Sequence, residues 1–130
     1  MKHCLIFLAI LCIGLLFGCK KGPGEGGRAS ISGKVYLHDY NNSGIPVDSF
    51  YVGEHRVYLI YGDDISFSKE VRTNYDGTYL FNYLLPGNYT VFTYSECLNC
   101  PGKSVHVKKN TEINGSRQDK VLEDFIIDNY

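Results

Sequence analysis

Apolar and polar positions alternate along most of the chain after residue 30. Alternation with a period of two marks half-buried strands, because successive side chains of a strand point to opposite faces. Ile31, Val35 and Leu37 share one face with Gly33, and Val57, Leu59 and Tyr61 share another. Ile65, Phe67 and Val71 alternate with Ser66, Ser68, Glu70 and Arg72. Tyr79, Phe81 and Tyr83 follow, then Tyr89, Val91 and Thr93, then Val105 and Val107, and finally Val121, Phe125 and Ile127. No stretch keeps helical spacing over three turns. The pattern predicts about seven strands, rich in the Tyr, Val, Ile and Phe that suit a pleated surface. Asp76-Gly77 predicts a tight hairpin turn and Pro86-Gly87 a type II turn. His38 to Glu54, with Asn41-Asn42-Ser43-Gly44 and Pro46, is predicted as a long irregular connection. Seven short strands in about 100 residues predict an all-β sandwich.

The first thirty residues follow other rules. Lys2 precedes Leu5 to Phe17, 13 consecutive uncharged residues. That run is shorter than the roughly 20 apolar residues a bilayer span needs, and a basic start before such a run predicts a secretory signal. The run closes on Leu16-Phe17-Gly18-Cys19, which resembles the lipobox of bacterial lipoproteins, with Phe17 bulkier than usual at its position. The resemblance implies cleavage before Cys19, lipidation of Cys19 by acyl chains such as palmitate, and a membrane anchor. The predicted units are a signal peptide at 1–18, a lipidated Cys with a Gly-rich tether at 19–30, and a sandwich at 31–130. Gly22, Pro23, Gly24, Gly26 and Gly27 fill five of six positions of that tether. A freely extended Lys20 to Ser30 would reach about 36–40 Å.

Processing leaves 112 residues with a net charge of −2 and two unmodified cysteines. That balance argues against nucleic acid as a partner, which calls for a basic surplus. Cys97 and Cys100 are the candidate disulfide, since leftover cysteines of an exported protein usually pair. Two other uses of them stay open: a thiol-redox pair, or a metal site completed by His106 with His55 or His38. Asp63-Asp64 and Asn74/Asp76 could be named as calcium ligands but lack EF-hand spacing, and Asp76 is better explained by its turn.

Thr73-Asn74-Tyr75-Asp76-Gly77-Thr78-Tyr79-Leu80-Phe81, followed by Leu84-Leu85-Pro86-Gly87-Asn88-Tyr89-Thr90-Val91, resembles the signature of carboxypeptidase regulatory-like domains, relatives of transthyretin-like and Cna-B-like sandwiches. Ile31-Ser32-Gly33-Lys34-Val35 and Val57-Tyr58-Leu59 are similar to the first two strands of that family. The resemblance implies an immunoglobulin- or prealbumin-like sandwich with Tyr79, Phe81, Tyr89 and Val91 in its core. It also raises a Lys34–Asn129 isopeptide bond, as in some Cna-B-like relatives.

No catalytic motif is present: neither Gly-x-Ser-x-Gly, nor His-Glu-x-x-His, nor a Cys-His signature. No cofactor or metal is expected. The alternation leaves Tyr58, Ile60, Leu80, Phe92 and Tyr94 facing away from the core, as candidates for a binding patch. The expected protein is a non-enzymatic, lipid-anchored envelope module for a protein or glycan partner. Lys20-Lys21 follows Cys19 without the Asp that retains some lipoproteins at the inner membrane, so an outer-membrane anchor is expected. The alternatives are an adhesin or fibre component, and a thiol-redox or metal-handling lipoprotein.

Overall fold

The computed structural model describes residues 21–130. The predicted signal peptide at 1–18 and the predicted lipidation site, Cys19, lie outside the described residues.

Two sheets form a β-sandwich. The first is built around β1 (Glu25–Tyr40), 16 residues long. The N-terminal half of β1 pairs antiparallel with β5 (Thr78–Leu84) and parallel with β8 (Asp119–Val121). Its C-terminal half pairs antiparallel with β2 (Pro46–Tyr51) and parallel with β9 (Phe125–Asn129). The second sheet has the order β4-β3-β6-β7, all antiparallel: β4 (Lys69–Arg72), β3 (Arg56–Tyr61), β6 (Gly87–Glu96) and β7 (Ser104–Ile113). The inner faces meet in one core. Ile31, Val35, Tyr79, Phe81, Phe125 and Ile127 come from the first sheet, and Val57, Leu59, Tyr89, Val91 and Ile113 from the second. Tyr79, Phe81, Tyr89 and Val91 are all buried, as expected from the alternation.

The chain reverses at both expected places, but neither turn joins neighbouring strands. Gly77, at φ 80°, turns the chain from β4 in one sheet to β5 in the other. Asp76 Oδ1 accepts the Thr78 amide at 3.1 Å, and the Asn74 carbonyl accepts the Gly77 amide at 2.9 Å. Pro86-Gly87 likewise carries β5 across to β6. Gly87 takes φ 150° rather than the value near +80° of a type II turn.

Four further expectations are corrected. Nine strands stand among the described residues, not seven. One addition is β2, inside the segment expected to be irregular; its six residues are all exposed, so no burial pattern announces them. The other is the three-residue β8. Ile65 and Phe67 lie in the β3–β4 connection, because β4 begins only at Lys69. Tyr83 points outward: its φ of 60° breaks the alternation, and Leu84 takes the buried place instead. Finally, β1 starts at Glu25, inside the stretch expected to be a tether. Gly24 and Ala29 are buried there, and the small side chains let the backbone lie directly on the end of β5.

Strand directions define two poles. The lower pole holds the start of β1, the β3–β4 and β5–β6 connections and the loop after β7. The upper pole holds the β1–β2 hairpin at Asn41–Ile45, the loop 97–103 and the C-terminus. The ten residues of β6 run from one to the other, about 30 Å at 3.3 Å per residue.

Candidate binding surface

The outer face of the second sheet gathers five rings. Tyr58 on β3 is paired with Phe92 on β6, so their side chains lie directly opposite on one face. The two rings stack at 4.9 Å with an interplanar angle of 15°. Tyr94, two residues along β6, meets Tyr58 edge-on at 5.6 Å and Phe92 at 5.9 Å. Its partner in register on β7 is His106, whose ring lies 4.6 Å from Tyr94 and 5.4 Å from Phe92. Phe67 folds back from the β3–β4 connection to within 4.9 Å of Tyr58. Such edge and offset contacts suit the quadrupole of aromatic rings.

The five predicted patch residues therefore divide. Tyr58, Phe92 and Tyr94 come together, and Ile60 lies two residues further along β3 on the same face, half-buried. Leu80 is 46% exposed but belongs to β5, in the opposite sheet, and takes no part. Facing away from the core does not leave all of them open to solvent. Tyr58 is 9% exposed and Phe92 6%, because each is hemmed in by neighbouring rings; the accessible surface comes from Tyr94 at 41% and Phe67 at 49%. Phe67 and His106 were not among the expected patch residues. Only strand pairing reveals that His106 sits opposite Tyr94, and Phe67 looked like a strand residue.

A polar rim surrounds the rings. The Arg56 guanidinium pairs with Glu70 at 3.3 Å, Thr90 Oγ1 donates to Asn110 Oδ1 at 2.9 Å, and Lys108 stands opposite Phe92 in register. An apolar centre with a polar rim is the usual anatomy of a recognition surface.

A second aromatic run lies on the outer face of the first sheet. Tyr36, His38 and Tyr40 alternate along β1. Tyr51 meets Tyr36 at 5.0 Å, and Tyr130 stacks on Tyr40 at 4.8 Å. The spacing Tyr36-x-His38-x-Tyr40 was the available signal for it. At the upper pole an open cleft of about 760 Å³ is lined by Leu37, His55, Glu96, Lys103, Ile127 and Tyr130, among others.

His55 stands in that cleft's wall. Its Nε2 lies 2.8 Å from Thr93 Oγ1, whose hydroxyl donates to the Arg56 carbonyl, so the ring nitrogen carries the proton between them. Burial lowers the His55 pKa below 6.5, partly offset by a backbone hydrogen bond at Tyr94. The folded chain thus prefers the neutral ring, whereas the unfolded chain takes up a proton first. Stability is expected to be full above about pH 7.5, to fall as the pH drops through the unfolded His value near 6.5, and to level off below the folded value. Urea midpoints at pH 7.5 and 5.5 check this: the difference should shrink in His55→Gln, and an equal difference would refute the assignment.

The remaining candidates resolve locally. Cys97 and Cys100 are joined in a disulfide. The metal alternative does not assemble: His38 lies 3.7 Å from Asp128, His55 against Thr93 and His106 among the rings, and no group of three or more His, Cys, Asp or Glu gathers among the described residues. Lys34 and Asn129 do not meet. Asn129 donates to Asp39, its partner in register, while the Lys34 ammonium lies over the Tyr51 ring.

No protein-family model matches the chain, and no curated protein does. Two solved structures are similar in outline. One is a Pseudomonas aeruginosa protein described as a candidate carbohydrate binder, at 18% identity and a TM-score of 0.45, covering 77% of this chain and 90% of its own. The other is an (S)-allantoin synthase, at 11% identity and a TM-score of 0.40, covering 78% of this chain and 42% of its own.

Proposed function

We propose that this chain is a non-enzymatic binding module of the cell envelope, held on the membrane by lipid at Cys19, and that it meets a protein or glycan partner with the ring cluster on its second sheet. The observation that carries this reading is the convergence of Tyr58, Phe67, Phe92, Tyr94 and His106 on one sheet face inside a polar rim. Rings packed edge to face present a pre-organised surface, so little side-chain entropy is lost when a partner covers it. The lipobox supports the anchor, and the carboxypeptidase regulatory-like signature supports use as an accessory module. An outer-membrane position accords with Lys20-Lys21 after Cys19.

Photo-cross-linking in intact cells tests the surface. A benzophenone amino acid at position 94 is expected to capture one recurrent species. The same group at position 80, exposed and apolar but on the opposite sheet, is expected to capture none. Protease and glycosidase treatment of the adduct then tells protein from glycan. Equal capture at both positions, or capture at neither, would remove this face as the binding surface.

A further inference from the structure

The segment that composition marks as a tether is tied down. Gly24 is buried, and its amide donates to Tyr89 Oη at 2.9 Å. The Tyr89 hydroxyl donates in turn to the Leu85 carbonyl at 2.6 Å, and the Leu85 amide donates to the Gly24 carbonyl at 2.9 Å. One buried phenol therefore staples the incoming chain to the β5–β6 corner. Pro23 packs on the flat backbone of Gly87 and Gly62, where a Cβ would come within 2.7 Å and 3.1 Å of its ring. Glu25 pairs with Lys69 at 2.6 Å across to the second sheet. The contacts come from both sheets and hold the chain from Pro23 onward.

This shortens the leash. Only four peptide steps separate Cys19 from Pro23, a reach of about 13–15 Å at full extension. The unstrapped tether would have allowed about 36–40 Å. The headgroup layer alone is roughly 5–8 Å thick on each side of the bilayer. Such a leash leaves little room for the domain to tumble.

We propose that Pro23–Glu25 is an orienting strap. In the lipidated protein it sets the lower pole, with the loops at 62–64, 85–87 and 114–118, against a lipid surface. The upper pole, with the His55–Glu96–Tyr130 cleft and the disulfide loop, then stands about 30 Å further out. The strand axes run along the membrane normal, and the ring cluster faces sideways. A partner is met beyond or beside the domain at its own height, not in the plane of the lipid. This inference rests on the anchor at Cys19.

Spin labels on the lipidated protein test it, in vesicles of phosphatidylethanolamine and phosphatidylglycerol carrying a nickel-chelating lipid as relaxing agent. Labels are placed at Ser116→Cys in the lower pole and Ser43→Cys in the upper, with the Cys97–Cys100 bond kept oxidised. Relaxation at 116 is expected to exceed that at 43 at least fivefold. Ten Gly-Ser residues inserted between Gly22 and Pro23 leave every strap contact in place but lengthen the leash, and should bring the two within twofold of each other. Intact mass reports acylation of Cys19 separately. Equal relaxation in the acylated, unlengthened protein overturns the strap and leaves the anchor standing, whereas absence of acyl mass overturns the anchor and the orientation with it.

Discussion

Gly27→Ala is expected to destabilise the fold by about 3 kcal/mol or more, at the upper end of what overpacking costs. A Cβ at Gly27 would overlap the Leu84 carbonyl and lie 2.7 Å from the Leu85 amide nitrogen. These are backbone atoms, so no side chain can swing aside. The strand must move instead, and three features move with it: buried Ala29, buried Leu84, and the Gly24–Leu85–Tyr89 staple. Gly26→Ala is the internal control. It adds the same methyl one residue earlier, where nothing lies within 4 Å, and meets only the strain of φ 103°, worth about 1–2 kcal/mol. Urea melts separate the two cases. For a small domain with a slope of about 1–3 kcal/mol/M, the Gly27 variant should lose a molar or more in midpoint. A Gly27→Ala midpoint equal to that of Gly26→Ala would show that the close approach of β1 to β5 is not a constraint.

The same glycine shows how far the sequence was readable. Period-two alternation is local, so Val57–Tyr61 and Tyr89–Thr93 could be seen as strands, and their inward residues named, without knowledge of their neighbours. Composition is also local, and there it misled. A Gly-Pro-rich run reads as flexible because it has little to bury. Here the missing side chains are what allow backbone to pack on backbone at Gly27 and Pro23 on Gly87. Tyr83 faces outward because its positive φ shifts the alternation by one residue at the end of β5, and nothing in the sequence pattern marks where that happens. Ile65 and Phe67 failed because a loop folding back on a sheet can alternate as well as a strand does.

Strand order decided the rest of the candidate site. Outward facing was legible for Tyr58, Leu80, Phe92 and Tyr94 alike. Whether they meet depends on which strands are neighbours, a long-range property. β3 and β6 pair, so Tyr58 and Phe92 stack; β5 pairs with β1 in the other sheet, so Leu80 stands alone. The Asp76-Gly77 turn, expected to close a hairpin, and the Pro86-Gly87 turn both cross between sheets, which is why Leu80 ends on the sheet opposite Phe92. The pairing of β6 with β7 then brings in His106 from twelve residues beyond Tyr94.

Cys19→Ser, placed behind a conventional cleavable secretory signal, is expected to move the protein completely from the membrane fraction to the soluble fraction. The size of the effect follows from what else could hold it. Cleaved before Cys19, the chain would carry a net charge of −2, and the basic pair Lys20-Lys21 would contribute about 1 kcal/mol per residue at an anionic surface, screened by salt. Two acyl chains of palmitate length contribute on the order of 20 kcal/mol, at about 0.8 kcal/mol per buried methylene. Even a single myristoyl chain outweighs the lysines, and gives only marginal, reversible binding. The native protein should therefore resist a high-salt wash and be released by detergent, whereas the Ser variant should need neither. Its urea midpoint should match that of the native protein, because the strap at Pro23–Glu25 begins four residues beyond the change and depends on Tyr89, not on lipid. Retention of the Ser variant after the salt wash would place the anchor elsewhere, and a lowered midpoint would mean that the segment before Pro23 also belongs to the folded domain.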